Sequence, residues 1–305
     1  IMLKRKAINR IFFTTIIFFI VFTLYSMKIV DKVVTSDNSK DKVNEETIYT
    51  LNNDNYVSKT SVYVSKVLSL EDRVKEKLEI MVKDNDKNVL LPSYFKPILP
   101  QNTRVLDVVV EDSLIKVYFS KELNNITKEQ SEKMIEAIVY TITDENILGI
   151  EIYVNGQMLK YVPNTKKVLP TILTKDIGIN KSYDIKASND ISKVVMMYYT
   201  NDNDNYYEVP VTKYVNDDRE KLEIIFDELG KMSDDKSLIS MVEGISVLDY
   251  SILGDKIVVD VNKELNEEEQ NLVFKSIFSN YRAKSVDLLV NGEKKVKKTR
   301  NVLEN

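Results

Sequence analysis

Val105-Leu106-Asp107 opens a stretch that closes on Lys121-Glu122-Leu123-Asn124, and both motifs return as Val247-Leu248-Asp249 and Lys263-Glu264-Leu265-Asn266. The two pairings share one offset of 142 (247 − 105 and 263 − 121), so neither copy has gained or lost a residue between them. Upstream, Lys77-Leu78-Glu79-Ile80 matches Lys221-Leu222-Glu223-Ile224. Downstream, Glu129-Gln130 matches Glu269-Gln270, and Val154-Asn155-Gly156 matches Val290-Asn291-Gly292. There the offset falls to 140 and then to 136 (269 − 129 and 290 − 154), which places the length changes in loops or helix ends. A repeat of more than about 100 residues is a domain and not a solenoid module. The chain therefore reads as a tandem duplication.

Each copy is expected to begin with a strand pair. Ile48 to Leu51 and Val62 to Val67 flank Asn52-Asn53-Asp54-Asn55; Val194 to Thr200 and Tyr207 to Tyr214 flank Asn201 to Asn205. Asn and Asp tolerate tight-turn dihedrals, so both pairs read as hairpins. A helix follows, with Val74, Leu78, Met81 and Val82 on one face in the first copy and Leu222, Ile225, Phe226 and Leu229 in the second; that spacing packs one side of a helix. Next comes a hairpin in which Ile115, Val117 and Phe119, or Ile257, Val259 and Val261, recur with period two and bury one sheet face. Thr127 with Gln130, and Asn266 with Glu269, mark the start of a second helix. Its buried stripe is Met134, Ile135, Ile138, Val139 and Ile142, or Leu272, Val273, Ile277, Phe278 and Tyr281. A last strand, Ile150 to Val154 or Val286 to Val290, runs into Asn-Gly, a strong turn signal. The expected fold class is α+β: two tandem β-β-α-β-β-α-β domains, each with its helices on one face of a sheet.

The 305 residues suffice for two domains, and 43% hydrophobic content supports real cores. Net charge is −4, and without a basic excess nucleic acid is a poor partner. The chain has no Cys and no His, so disulfides, thiolate nucleophiles, Cys/His zinc sites and imidazole bases are excluded. No catalytic, cofactor-binding or metal-ligating residue is assigned, and no cofactor is expected.

Lys4, Arg5, Lys6 and Arg10 make residues 1–10 a basic, cytoplasmic N-terminus. They precede the uncharged run Ile11–Met27, about 26 Å long as a helix against a hydrocarbon core of about 30 Å. No small-x-small cleavage site follows it, and an N-terminal transmembrane helix over 11–30 is expected. The positive-inside rule then leaves the rest of the chain outside the membrane. Residues 31–46 read as a flexible stalk, 47–160 as the first domain, 161–190 as a linker or crossover carrying Pro163, Pro170 and Gly178, 191–298 as the second domain and 299–305 as a tail.

The Val-Leu-Asp strand, the hairpin ending in Lys-Glu-Leu-Asn, the amphipathic helix and the strand into Val-Asn-Gly, in that order and twice, resemble the GerM-domain family of spore-forming bacteria. Asp176-Ile177-Gly178-Ile179-Asn180 is similar to that family's connector. The resemblance covers roughly residues 48–160 and 194–298. It implies a sporulation or germination protein outside the forespore or mother-cell membrane, with a fold akin to ring-building motifs used for protein–protein assembly. Members are often lipoproteins; this chain lacks the required Cys, which leaves Ile11–Met27 as the anchor. The resemblance brings no catalytic residues.

Sharper motifs dissolve on inspection. Asn201 to Asn205 lacks the Gly and Glu of a calcium loop, with Tyr206 sixth and Thr212 twelfth. Ser233-Asp234-Asp235-Lys236 has Ser-x-x-Lys spacing without the accompanying elements of that enzyme class and reads as a polar loop. Glu122 and Glu264 recur at a strand–helix junction, where a helix-entry role is expected over a shared binding site. Lys294, Lys295, Lys297, Lys298 and Arg300 form a basic tail that could meet anionic lipid or wall polymer. The function expected is a membrane-anchored, extracytoplasmic, non-enzymatic component that docks on other envelope proteins of the sporulating cell, in a homo- or hetero-oligomeric ring. The alternative is a ligand-binding module that senses a wall fragment or germinant.

Overall fold

The structure is a computed structural model that describes residues 43–202 and 205–300. The apolar run Ile11–Met27 lies outside the described residues, as does most of the 31–46 stalk. Among the described residues no helix is long and apolar enough to cross a membrane. One compact unit, Glu45–Val64 together with the chain from Leu68 onward, holds both repeats.

The first repeat starts with the antiparallel strands β1 (Val43–Asn52) and β2 (Val57–Ser65). β1 begins inside the segment expected to be stalk. Glu46 is fastened there by Arg73 at 3.3 Å and Lys77 at 3.6 Å. Helix α1 (Leu70–Ile80) follows, and the Ser69 hydroxyl accepts from the Asp72 N–H at 3.2 Å at its start. Val74, Leu78, Met81 and Val82 are all buried, as their spacing requires. A short strand, β3 (Phe95–Lys96), adds to the free edge of β1. Strands β4 (Val105–Glu111) and β5 (Leu114–Phe119) pair across a tight turn at Asp112, whose φ is 53°. Helix α2 (Lys128–Ile142) then crosses to β6 (Gly149–Val154), which runs parallel to β5. A parallel pair needs such a crossover. Asn155 and Gly156, at φ 49° and 77°, return the chain into β7 (Gln157–Met158).

The second repeat copies this order. β9 (Ile191–Asp202) and β10 (Asn205–Asn216) form the hairpin, and the connector strand β8 (Ser182–Asp184) pairs parallel with β10. Helix α3 (Lys221–Gly230), strands β11 (Val247–Leu253) and β12 (Lys256–Val261), helix α4 (Glu267–Asn280), strand β13 (Ser285–Val290) and strand β14 (Glu293–Thr299) complete it.

Three further expectations change in the fold. Each repeat has two sheets instead of one, ordered β2-β1-β3 and β4-β5-β6-β7 in the first copy, β8-β10-β9 and β11-β12-β13-β14 in the second. One core unites them: buried Val194 and Met196 of β9, Leu272 and Ile277 of α4, and Ile257 and Val259 of β12 pack together. A separate core serves the first repeat, and each fully buried Leu, Ile or Phe contributes about 1.5–3 kcal/mol. The second helix also satisfies the strand of the first hairpin. Thr141 accepts from the Tyr49 N–H at 2.8 Å, and in the second copy Asn280 accepts from the Val195 N–H at 2.9 Å.

The second change is at the C-terminal end. Lys294 to Thr299 is not tail but strand β14, and Arg300 donates to the carbonyls of Phe278 (2.7 Å) and Tyr281 (2.6 Å), closing the end of α4. The third concerns the helix starts. Asn266 and Glu269 form the full capping box, whereas the Thr127 side chain makes no capping bond.

The 161–190 segment is an ordered crossover. The Asn180 side chain is buried between the repeats: Nδ2 donates to Val57 O at 2.7 Å and Pro210 O at 2.8 Å, and Oδ1 accepts from the Val57 N–H at 2.9 Å. Its own N–H donates to Glu136 at 2.8 Å, and Lys181 pairs with Glu136 and with Glu132. Gly178, at φ 79°, lies against Thr212, where a Cβ would meet side-chain atoms at 3.1–3.2 Å. The Thr212 hydroxyl accepts from the Ile179 N–H at 2.9 Å.

Candidate interaction surfaces

The Val-Leu-Asp motif forms a β-bulge in both copies. Val105 faces Phe119 while Asp107 faces Tyr118; Val247 faces Val261 while Asp249 faces Asp260. The leucine between is the extra residue with no opposite number. Leu106 is 50% exposed and Leu248 53% exposed. The aspartate holds the kink by accepting from the next N–H, Val108 at 3.0 Å and Tyr250 at 2.8 Å. A second clamp sits at the other end. The Arg104 N–H donates to Ser120 Oγ at 3.0 Å, and the Ser246 N–H donates to Asn262 Oδ1 at 2.8 Å. Both bulged strands are the outer strands of their sheets. Each repeat thus presents a half-exposed leucine on an outer strand, an apolar group placed where a partner could dock. The second copy adds Ile252 and Leu253, both exposed.

The open faces of the two four-stranded sheets differ. In the first copy Tyr118 stacks on Tyr153 at 4.7 Å, and the Tyr153 hydroxyl donates to Glu151 at 2.8 Å. The matching residues of the second copy are Asp260 and Leu289, by the offsets 142 and 136. Beside them Asp287 is paired with Lys256 at 2.9 Å and Lys294 at 2.7 Å, which holds its carboxyl below the ordinary range. The β14 lysines line the last edge, where repeated positive charge opposes strand addition.

Lys-Glu-Leu-Asn divides by burial. Leu123 and Leu265 are core residues. Glu122 lies in a short 3-10 turn (Lys121–Asn124), and Glu264 precedes the cap Asn266 and pairs with Lys295 at 3.0 Å. Neither enters the first turn of the following helix, so the helix-entry role falls to Glu129 and to Glu267–Glu269. Ser233 accepts from the Asp235 N–H on a loop where Lys236 is exposed, and Asn201 to Asn205 lies at the β9–β10 turn, with residues 203 and 204 outside the described ones. Among the described residues no three His, Cys, Asp or Glu side chains are grouped to hold a metal ion. The exposed leucines were missed in the sequence because Val-Leu-Asp reads as ordinary alternation; the register slip is visible only in three dimensions.

Residues 47–160 match the Germane family, described as sporulation and spore germination. The spore germination protein GerM of Bacillus subtilis (strain 168) is 27% identical over 261 residues, 78% of this chain and 70% of that protein. The solved tandem GerMN domains of the sporulation protein GerM from Bacillus subtilis superpose with a TM-score of 0.78 at 22% identity, covering 85% of this chain and 98% of that one. The shared fold extends to both repeats. Over residues 47–160 the chain carries a domain of the Germane family, described as sporulation and spore germination; along most of its length it is similar to GerM and shares the fold of the tandem GerMN domains.

Proposed function

We propose that this chain is a non-enzymatic assembly component of sporulation or spore germination, tethered through Ile11–Met27 with its N-terminus cytoplasmic and both domains outside the membrane. It works by docking its two bulged sheet edges onto other envelope proteins, or onto further copies of itself in a ring. The observation that supports this most is the duplicated bulge that keeps Leu106 and Leu248 in water at equivalent positions. An isolated exposed leucine is unremarkable. Two at one position of a duplicated edge, each fixed by its own aspartate, are a paired grip. Two such grips on one chain give heterologous contacts that can propagate or close.

The test is affinity purification of the full chain from membranes of sporulating cells. Envelope proteins, or additional copies of the chain, are expected in stoichiometric amounts. Recovery of the chain alone as a monomer from cross-linked membranes would sink the proposal.

A further inference from the structure

The first hairpins of the two repeats are dressed alike on one side and differently on the other. Beside the first strand each gains a short partner: β3 pairs with β1, and Ile239 bridges to Tyr199 of β9. Beside the second strand, β10 carries β8 in parallel register, with Ser182 opposite Lys213, Tyr183 opposite Tyr214 and Asp184 opposite Val215. Its counterpart β2 is the outer strand of its sheet, and among the described residues no strand lies against its far side. One tyrosine marks the equivalent place. Tyr63 stands six residues before Ser69, the cap of α1, and Tyr214 six before Glu220, the cap of α3 (69 − 63 and 220 − 214). Val64 and Val215 follow them and are buried, so both tyrosines point away from the core. Tyr214 stacks on Tyr183 of β8, with ring centroids 4.9 Å apart. Among the described residues no ring stacks on Tyr63, which is 59% exposed.

Backbone alternation fixes which groups face that side. The Val57 N–H and carbonyl both bond the Asn180 side chain, at 2.9 and 2.7 Å, and so face away from β1. Groups on one side of a strand recur every second residue, which directs those of Ser61 and Tyr63 the same way. The crossover uses the matching side of β10. Asn180 donates to Pro210 O at 2.8 Å, the Thr212 N–H donates to Ile179 O at 2.8 Å, and two residues farther on Tyr214 meets β8. Beyond Asn180, therefore, β10 acquires a strand and β2 does not. Ser61-Val62-Tyr63-Val64 is rich in strand-forming residues and carries neither the Pro nor the charge that natural proteins use to block an edge.

We propose that β2 accepts an extended segment of another protein by strand addition at Ser61–Val64, parallel to β2 and with an aromatic side chain stacked on Tyr63. β8 on β10 supplies the pattern: main-chain pairing over three residues with a tyrosine in register. Strand addition draws affinity from backbone bonds and selectivity from alternate side chains, so the aromatic residue is the recognised feature. This deepens the docking role proposed above, and rests on it for the partner's place in the envelope, but it uses a surface apart from the bulged edges.

Hydrogen exchange of the detergent-solubilised full chain, read by mass spectrometry, tests this with the acetylated and amidated peptide Lys-Ser-Tyr-Asp-Ile-Lys, the sequence of Lys181–Lys186, as the probe. Exchange over residues 57–64 should slow saturably, about tenfold at the exposed edge amides once the peptide reaches ten times its Kd, with no change over residues 205–216. The same peptide with Ser in place of Tyr should need about tenfold more for equal slowing. Tyr63→Lys, a substitution at an exposed position, should weaken the effect as much while the melting temperature holds. No saturable slowing up to about 10 mM peptide, equal slowing by the serine peptide or in the Tyr63→Lys variant, or slowing confined to 205–216 would overturn the assignment. None of these outcomes bears on docking through Leu106 and Leu248.

Discussion

Replacing Asn180 by alanine probes the crossover that joins the repeats. The side chain makes three hydrogen bonds, to the Val57 N–H, the Val57 carbonyl and the Pro210 carbonyl, at 2.7–2.9 Å. Each contributes about 1 kcal/mol net, and a buried donor left without a partner costs more. Val57 is fully buried, so water cannot replace the lost acceptor. Asn180 also holds φ at 46°, a conformation that costs alanine about 1–2 kcal/mol. Together Asn180→Ala should lose about 4–6 kcal/mol of the 5–15 kcal/mol typical of a folded protein. For a chain of this size that is a fall in melting temperature of roughly 10–20 °C. Asn180→Gly relieves the backbone cost and should be less damaging by about 0.5–1 kcal/mol. Urea denaturation of the full chain, followed by far-UV circular dichroism, reads both values. A loss under about 1.5 kcal/mol for the alanine variant would mean that the crossover is held by other contacts, and the reasoning would fail.

Further outcomes follow from the same contacts. Glu228 is buried, and although desolvation alone would raise its pKa, its hydrogen bonds to Lys213 (2.7 Å) and Lys231 (2.6 Å) lower it below the ordinary 4.5. A carboxyl with a depressed folded pKa stabilises above its unfolded pKa and loses that contribution as pH falls through the folded value. Glu228→Gln should therefore cost about 1–2 kcal/mol at pH 7, and the gap to the unsubstituted chain should close below pH 4.5 in acid melts. Gly178→Ala combines a left-handed φ of 79° with a Cβ pressed on Thr212, and thermal melts should show a loss of about 2 kcal/mol. Thr212→Val removes the acceptor of the Ile179 N–H and should lose about 1–3 kcal/mol by the same assay.

The repeat offset carried most of the architecture. Alternating Ile115, Val117 and Phe119, and the helical stripe from Met134 to Ile142, are buried as their periods require. What stayed hidden has physical causes. β14 holds a single inward apolar residue, Val296, among lysines, so hydropathy sees a tail where edge pairing makes a strand. β3 and β8 are two and three residues long and are held by backbone pairing to longer neighbours. Asn180 looks like any turn residue, because nothing local marks that its amide will be sealed between two strands. The strand pair of each repeat was legible, but not its separation into a second sheet, since that depends on which strand edges the helices occupy. At the surface, Leu106 and Leu248 belong to a strand pattern until the register slips.

The most direct measurement is partner recovery by the full chain carrying Leu106→Glu and Leu248→Glu, purified from sporulating cells beside the unsubstituted protein. Both leucines are half in water, so the double variant should fold with stability within about 0.5 kcal/mol per site. The expected result is a normally folded variant that has lost the partners retained by the unsubstituted chain. Full partner recovery by the folded double variant would contradict docking through the bulged edges.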